Sequence, residues 1–103
     1  ERLVNWARLV KSEQEIKYMK IASQITQLGM KTAFDVINPG VRQCDAVAKI
    51  YSTLISGTKE YGGDYSSIVP LIPTGKGTSA SHLSWTDDKF LEGEASIIEI
   101  SGV

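Results

Sequence analysis

The sequence predicts an α+β fold in which two antiparallel helices pack on a β-sheet. Two observations carry that prediction. Apolar residues in the first half recur at the three- and four-residue steps of helix faces, and the second half holds short β-forming stretches separated by Gly, Pro and Ser. The order helix, helix, strand, strand fits α+β and not an alternating α/β pattern.

Residues 1–11, ERLVNWARLVK, follow no single period and read as a short strand or connector. Ser12-Glu13-Gln14-Glu15 is then a capping box, with the Ser12 hydroxyl closing a helix N-terminus and Glu15 reaching back. From there Ile16, Met19, Ala22, Ile25, Gly29, Ala33, Val36 and Ile37 form one apolar face of a long helix. Asn38-Pro39-Gly40 ends it. A second helix presents Val47, Ile50, Tyr51, Leu54 and Ile55, with Gly57 placed as its C-terminal cap. Lys59 to Tyr65 is a loop, and Ser66 to Ile72 is a strand that Pro70 confines to an edge or a bulge. Pro73 to Ser81 is a small-residue loop, and Trp85 to Leu91 is another. Glu92-Gly93 then turns the chain into a closing strand, Ser96 to Ile100, which reads as buried on both faces.

Composition removes several function classes. The 103 residues suit one small domain, and 42% hydrophobic with 22% charged is the balance of an ordinary globular protein. A formal net charge of -1 supplies no basic field for a phosphate backbone, so no nucleic-acid partner is expected. No apolar run reaches the length of a membrane span, and no membrane partner is expected either. The single Cys44 excludes an internal disulfide and suits a cytoplasmic setting; it reads as a small buried side chain on a helix and not as a reactive thiol. Glu1 is not an initiator Met and Val103 follows directly on an apolar strand, so the chain reads as a piece of a longer protein.

Two residues stand out for chemistry. Glu99 places a carboxylate within an apolar strand, where an ionised acid is costly without compensation. Strand alternation puts it on one face with Ala95 and Ile97, while Ser96, Ile98 and Ile100 face the other way. It reads either as an edge residue reaching solvent or an Arg, or as a metal ligand, general base or nucleophile. His82 is the only histidine and follows a Gly/Ser-rich loop, a setting that aims side chains at cavities as well as at solvent. Tyr61, Tyr65 and Trp85 either wall a pocket or cover the core. PTGKGTS fails as a phosphate loop, because Pro70 occupies the first glycine position and no helix pattern follows Lys76. Asp87 and Asp88 read as a solvated turn, and Lys11, Lys17 and Lys20 as helix-surface charges.

Several stretches together resemble the creatinase, prolidase and aminopeptidase P superfamily. They are Arg8 to Ser12 with Glu15-Ile16, Met19-Lys20 and Ala22; Asn38-Pro39-Gly40-Val41; and Ser67-Ile68-Val69, Gly75, His82 and Gly93-Glu94 through Glu99. The resemblance implies the "pita-bread" α+β catalytic domain. Residues 12–103 would be its first half, truncated, and residues 1–11 the connector from a missing N-terminal domain. It implies that His82 is the active-site histidine and that Glu99 stands where metal-dependent members place their first metal-binding Asp. Glu is one methylene longer, which pushes its carboxylate past the usual metal geometry, and Arg42 stands where relatives often carry a capping Thr or Ser.

A more specific resemblance, through Pro39 to Ala48, Glu60 to Tyr65 and His82-Leu83-Ser84-Trp85, is to the ectoine hydrolase branch. It implies a hydrolase that opens a small cyclic amidine at a C–N bond with no cofactor. In that reading Glu99 attacks the amidine carbon or activates water toward it, His82 passes protons, and Tyr65 and Trp85 enclose the ring. The expected partner is a small-molecule substrate, with a homodimer possible for the whole protein; the piece alone is expected to be inactive. The alternative is a metal-dependent Xaa-Pro aminopeptidase or dipeptidase using Mn, Co or Zn with Glu99 as a ligand. A second alternative is a non-catalytic binding module on the same fold.

Overall fold

The computed structural model describes residues 2–66 and 68–103. Helix α1 spans Leu3–Leu9, α2 spans Glu13–Val36 and α3 spans Gln43–Ser56. Where a short strand or connector was expected, α1 is a helix with no buried residue; Leu3 is 82% exposed and Trp6 69%.

The capping box forms as predicted. The Ser12 hydroxyl accepts from the Glu15 N–H at 3.2 Å while the Glu15 carboxylate accepts from the Ser12 N–H at 2.7 Å. These bonds from the Ser12 backbone and side chain hold the Glu15 carboxyl below its usual range. Helix α2 buries Ile25, Gly29 and Ala33, the middle of the predicted face. Ile16 and Met19, on the same periodicity, stay exposed at 40% and 55%. Length accounts for this: α2 has 24 residues and α3 has 14, so at 1.5 Å per residue α2 overhangs its partner by roughly 15 Å. Gly40, at φ 88°, makes the turn between them, and Gly57, at φ 65°, caps α3.

Helix α3 begins without a side-chain cap. Arg42 occupies the cap position and turns instead to Asp45, at 2.8 Å for both Nε and an Nη. That paired geometry raises the Arg42 guanidinium pKa and lowers the Asp45 carboxyl. The helix's open N–H groups go elsewhere: Gln43 donates to the Asp88 carbonyl at 2.9 Å and Cys44 to the Thr86 carbonyl at 3.1 Å. Phe90, 3% exposed, anchors this loop in the core.

The second half departs from the predicted sheet. Among the described residues it forms isolated antiparallel bridges, Leu71 with Glu99, Thr74 with Ser96 and Arg42 with Lys89. Segments 71–75 and 95–99 do run side by side in one register. Leu71 and Glu99 exchange both backbone bonds at 3.0 Å, Ile97 donates to the Pro73 carbonyl at 3.0 Å, and Gly75 donates to Ala95 at 2.9 Å. Pro73 has no N–H to return, so the ladder breaks at that pair. Of the strand expected over Ser66 to Ile72, only Leu71 bridges; Ile68 and Val69 are 41% and 44% exposed, and Ser67 lies outside the described residues. The loop after Pro73 contains a short 3-10 helix, Gly75–Ser79.

The core lies between the helix pair and the inner face of the paired segments. Ile25, Ala33, Ala46, Val47, Ile50, Leu54, Ile72 and Phe90 form it, with Ile98, Ile100 and Trp85 packed against it. On that inner face the Thr74 and Ser96 hydroxyls meet at 2.9 Å. Among the described residues no helix is long and apolar enough to cross a membrane.

Candidate functional site

The alternation read from Ala95 to Ile100 holds, but the burial of both faces does not. Ser96, Ile98 and Ile100 are half-buried toward the helices, whereas Ala95, Ile97 and Glu99 are exposed. Glu99 therefore stands on the open face of a one-sided layer. Residues directly opposite in an antiparallel pair share a face, so Leu71 lies beside Glu99 and Pro73 beside Ile97.

His82 reaches that same face. The chain leaves the 3-10 helix at Ala80 and turns at His82, whose φ of 60° is left-handed and the one positive φ outside glycine among the described residues. Leu71, Pro73, Ala80, Ser81, His82, Ile97 and Glu99 line one hollow of about 130 Å³. Whole small-molecule sites occupy about 300–1,000 Å³, so this hollow by itself is smaller than such a site. Two groups able to exchange protons stand in it beside an apolar floor. No side-chain hydrogen bond or ion pair engages either His82 or Glu99 among the described residues; the ion pair found there is Arg42–Asp45.

The two aromatic residues expected with them are placed elsewhere. Trp85 packs against the core and lines a neighbouring hollow of about 600 Å³ with Gln43, Lys76 and Lys89; Pro73 is common to both hollows. Tyr65 is 78% exposed, and Tyr61 lines a third, mostly apolar recess beside Tyr18 and Gly102. Sequence reading missed the hollow's apolar floor, Leu71, Pro73 and Ile97. The signal for it was the complementary spacing of Leu71-x-Pro73 and Ile97-x-Glu99, which only a known register converts into a shared face.

Comparison with known proteins identifies the family and the fold. Residues 17–103 match the metallopeptidase family M24. The chain is 45% identical over 106 aligned residues to the ectoine hydrolase of Halomonas elongata, covering 98% of this chain and 27% of that protein. It is 44% identical to an uncharacterized hydrolase/peptidase of Sinorhizobium fredii, over 99% of this chain and 26% of that one. The chain thus spans about a quarter of the length of the curated relatives it matches. Among solved structures, an Xaa-Pro dipeptidase from Bacillus anthracis superposes with a TM-score of 0.82 at 22% identity, over 99% of this chain and 28% of that one. That likeness shows the fold, in line with the pita-bread expectation.

The family description implies a metal. Metal centres need about four to six donors. The hollow offers the Glu99 carboxylate and the His82 imidazole, and the described residues contain no group of three or more His, Cys, Asp or Glu side chains placed to hold an ion. These residues do not by themselves make a metal centre. Matched over 87 of its 103 residues, from 17 to 103, the chain belongs to the metallopeptidase family M24.

Proposed function

We propose that the protein to which this chain belongs is a hydrolase that opens a small cyclic amidine of the ectoine type at a C–N bond. The observation that carries the reading is the meeting of His82 and Glu99 in one hollow on the open face of the paired segments. The 45% identity to an ectoine hydrolase supports the choice of substrate class.

The chemistry asks for little else. A protonated amidine is a delocalised cation, and a carboxylate beside it supplies charge complementarity. Glu99 takes a proton from water as the oxygen adds to the amidine carbon. The tetrahedral carbon then releases one ring nitrogen, which receives through His82 the proton that Glu99 took, while the hydroxyl proton passes to the freed amine and the amide carbonyl forms. One water is consumed and one C–N bond breaks. Leu71, Pro73 and Ile97 give the apolar wall against which the ring's methylene groups would rest.

The family assignment favours a second reading, a metal-dependent peptidase acting on Xaa-Pro substrates with Glu99 as one ligand. Both are tested on the full-length protein with ectoine and with an Xaa-Pro dipeptide, each before and after chelation. Chelator-resistant ring opening that falls at least about 100-fold in Glu99→Gln and in His82→Ala is the expected result. Chelator-sensitive cleavage of the dipeptide alone would replace the first reading with the second.

A further inference from the structure

The stretch that follows Glu99 is fastened to α2 by contacts that no local sequence motif announces. The Gly102 N–H donates to the Thr26 hydroxyl oxygen at 2.8 Å, and that hydroxyl donates in turn to the Ala22 carbonyl at 2.9 Å. A hydroxyl has one proton and two lone pairs, so Thr26 serves as acceptor for the segment while its own proton stays on the helix. Gly102 lies so close to the helix that a Cβ there would stand 2.7 Å from the Thr26 nitrogen and 2.8 Å from the Ala22 oxygen. One turn further along α2, Gly29 leaves a notch: a Cβ there would lie 3.2 Å from Ile100 Cδ1 and 2.5 Å from Leu54 Cδ2. Thr26 and Gly29, three residues apart, therefore form one dock on one face of α2.

We propose that Thr26 is a positioning residue for the chemistry at Glu99, acting by holding Gly102 and the inward-facing Ile100 in register against α2. The proposal rests on the reading of Glu99 as the reacting carboxylate. In an extended segment successive side chains take opposite faces, so seating Ile100 in the notch sends Glu99 to the open face beside His82. A slip of one residue would turn Glu99 into the core and Ile100 outward. The Leu71 bonds fix Glu99 from one side and the Thr26 bond fixes the chain three residues later, leaving the carboxylate between two anchors.

The test uses the full-length protein and ectoine ring opening. Thr26→Val keeps the shape and loses the acceptor, and Thr26→Ser keeps the hydroxyl. Thr26→Val is expected to lower kcat about tenfold with KM held within about twofold, because a misplaced group costs turnover more than binding. Thr26→Ser restores turnover to within about twofold of wild type. Hydrogen exchange at the Gly102 amide should be slow in the wild type and in Thr26→Ser, and at least about tenfold faster in Thr26→Val. In a Glu99→Gln background Thr26→Val should cost less than about twofold more, since a residue acting through Glu99 has nothing left to position. A full, additive penalty in that background overturns the positioning role and leaves the reading of Glu99 standing. Wild-type turnover by Glu99→Gln overturns that reading, and the role of Thr26 with it. If Thr26→Val does not fold, Thr26→Ala takes its place in the cycle; loss of folding in both makes the hydroxyl structural and overturns the proposal.

Discussion

Leu71 and Glu99 exchange both backbone hydrogen bonds at 3.0 Å, and two residues later Pro73 ends the exchange by accepting from Ile97 without donating back. The hollow holding His82 and Glu99 is floored by this interrupted pairing. Pro73→Ala supplies the missing N–H. Its amide is expected to become protected from hydrogen exchange and the bridges to join into a continuous ladder. Net stability should move by less than about 1 kcal/mol, because the new hydrogen bond is offset by the chain entropy that proline had removed. An amide at position 73 exchanging at the solvent rate would contradict this account.

His82 offers a separation of backbone from side-chain roles. Its φ of 60° suits glycine and disfavours β-branched residues. Although His82 is exposed, His82→Val should therefore destabilise by about 1–2 kcal/mol, while His82→Gly stays within about 1 kcal/mol of wild type. Both should lose ring opening in the full-length protein. Denaturant unfolding of the two variants checks the first part, and equal stabilities would show that the left-handed turn imposes no constraint.

Arg42 illustrates a cap replaced by tertiary bonds. Arg42→Ser would surrender an exposed, solvent-screened ion pair, which contributes little, and gain a side-chain cap, worth about 0.5–2 kcal/mol. A rise in stability of a few tenths to about 1 kcal/mol is expected, read as an upward shift of the thermal midpoint. A fall would mean that the paired Arg42 and Asp45 contribute more than their exposure allows.

The capping box of α2 carries a pH signature. Its bonds to Ser12 lower the Glu15 carboxyl below the ordinary 4.5, so the unfolded chain takes up that proton at a higher pH than the folded one. The stabilisation is complete above about pH 4.5 and fades as pH falls through the lower, folded value; Asp45, lowered by Arg42, acts in the same direction. Ser12→Ala should cost about 1 kcal/mol at neutral pH and flatten the decline in stability below pH 4.5. A decline of unchanged steepness would show that Glu15 gains nothing from Ser12.

Local chemistry was legible from the letters alone. Ser12 with Glu15, Asn38-Pro39-Gly40 and Gly57 are start and stop signals whose physics operates within four residues, and each falls where the chain order placed it. The middle of the α2 face and the alternation from Ser96 to Ile100 were equally legible, because periodicity follows from backbone geometry. The same reasoning failed at residues 1–11, where no period reports that Leu3–Leu9 is helical, and at Ile16 and Met19, whose exposure depends on where a partner helix ends.

The sequence by itself determined which residues could act: one histidine, and one acid out of keeping with its apolar neighbours. Tertiary structure decided that they share a hollow, that Glu99 faces outward, and that Trp85 belongs to the core's edge and a neighbouring recess. The physical reason is range. Caps and alternation are settled by neighbours along the chain, whereas the Leu71–Glu99 register and the seat of Gly102 on Thr26 join residues 28 and 76 positions apart, a pairing that no local preference encodes.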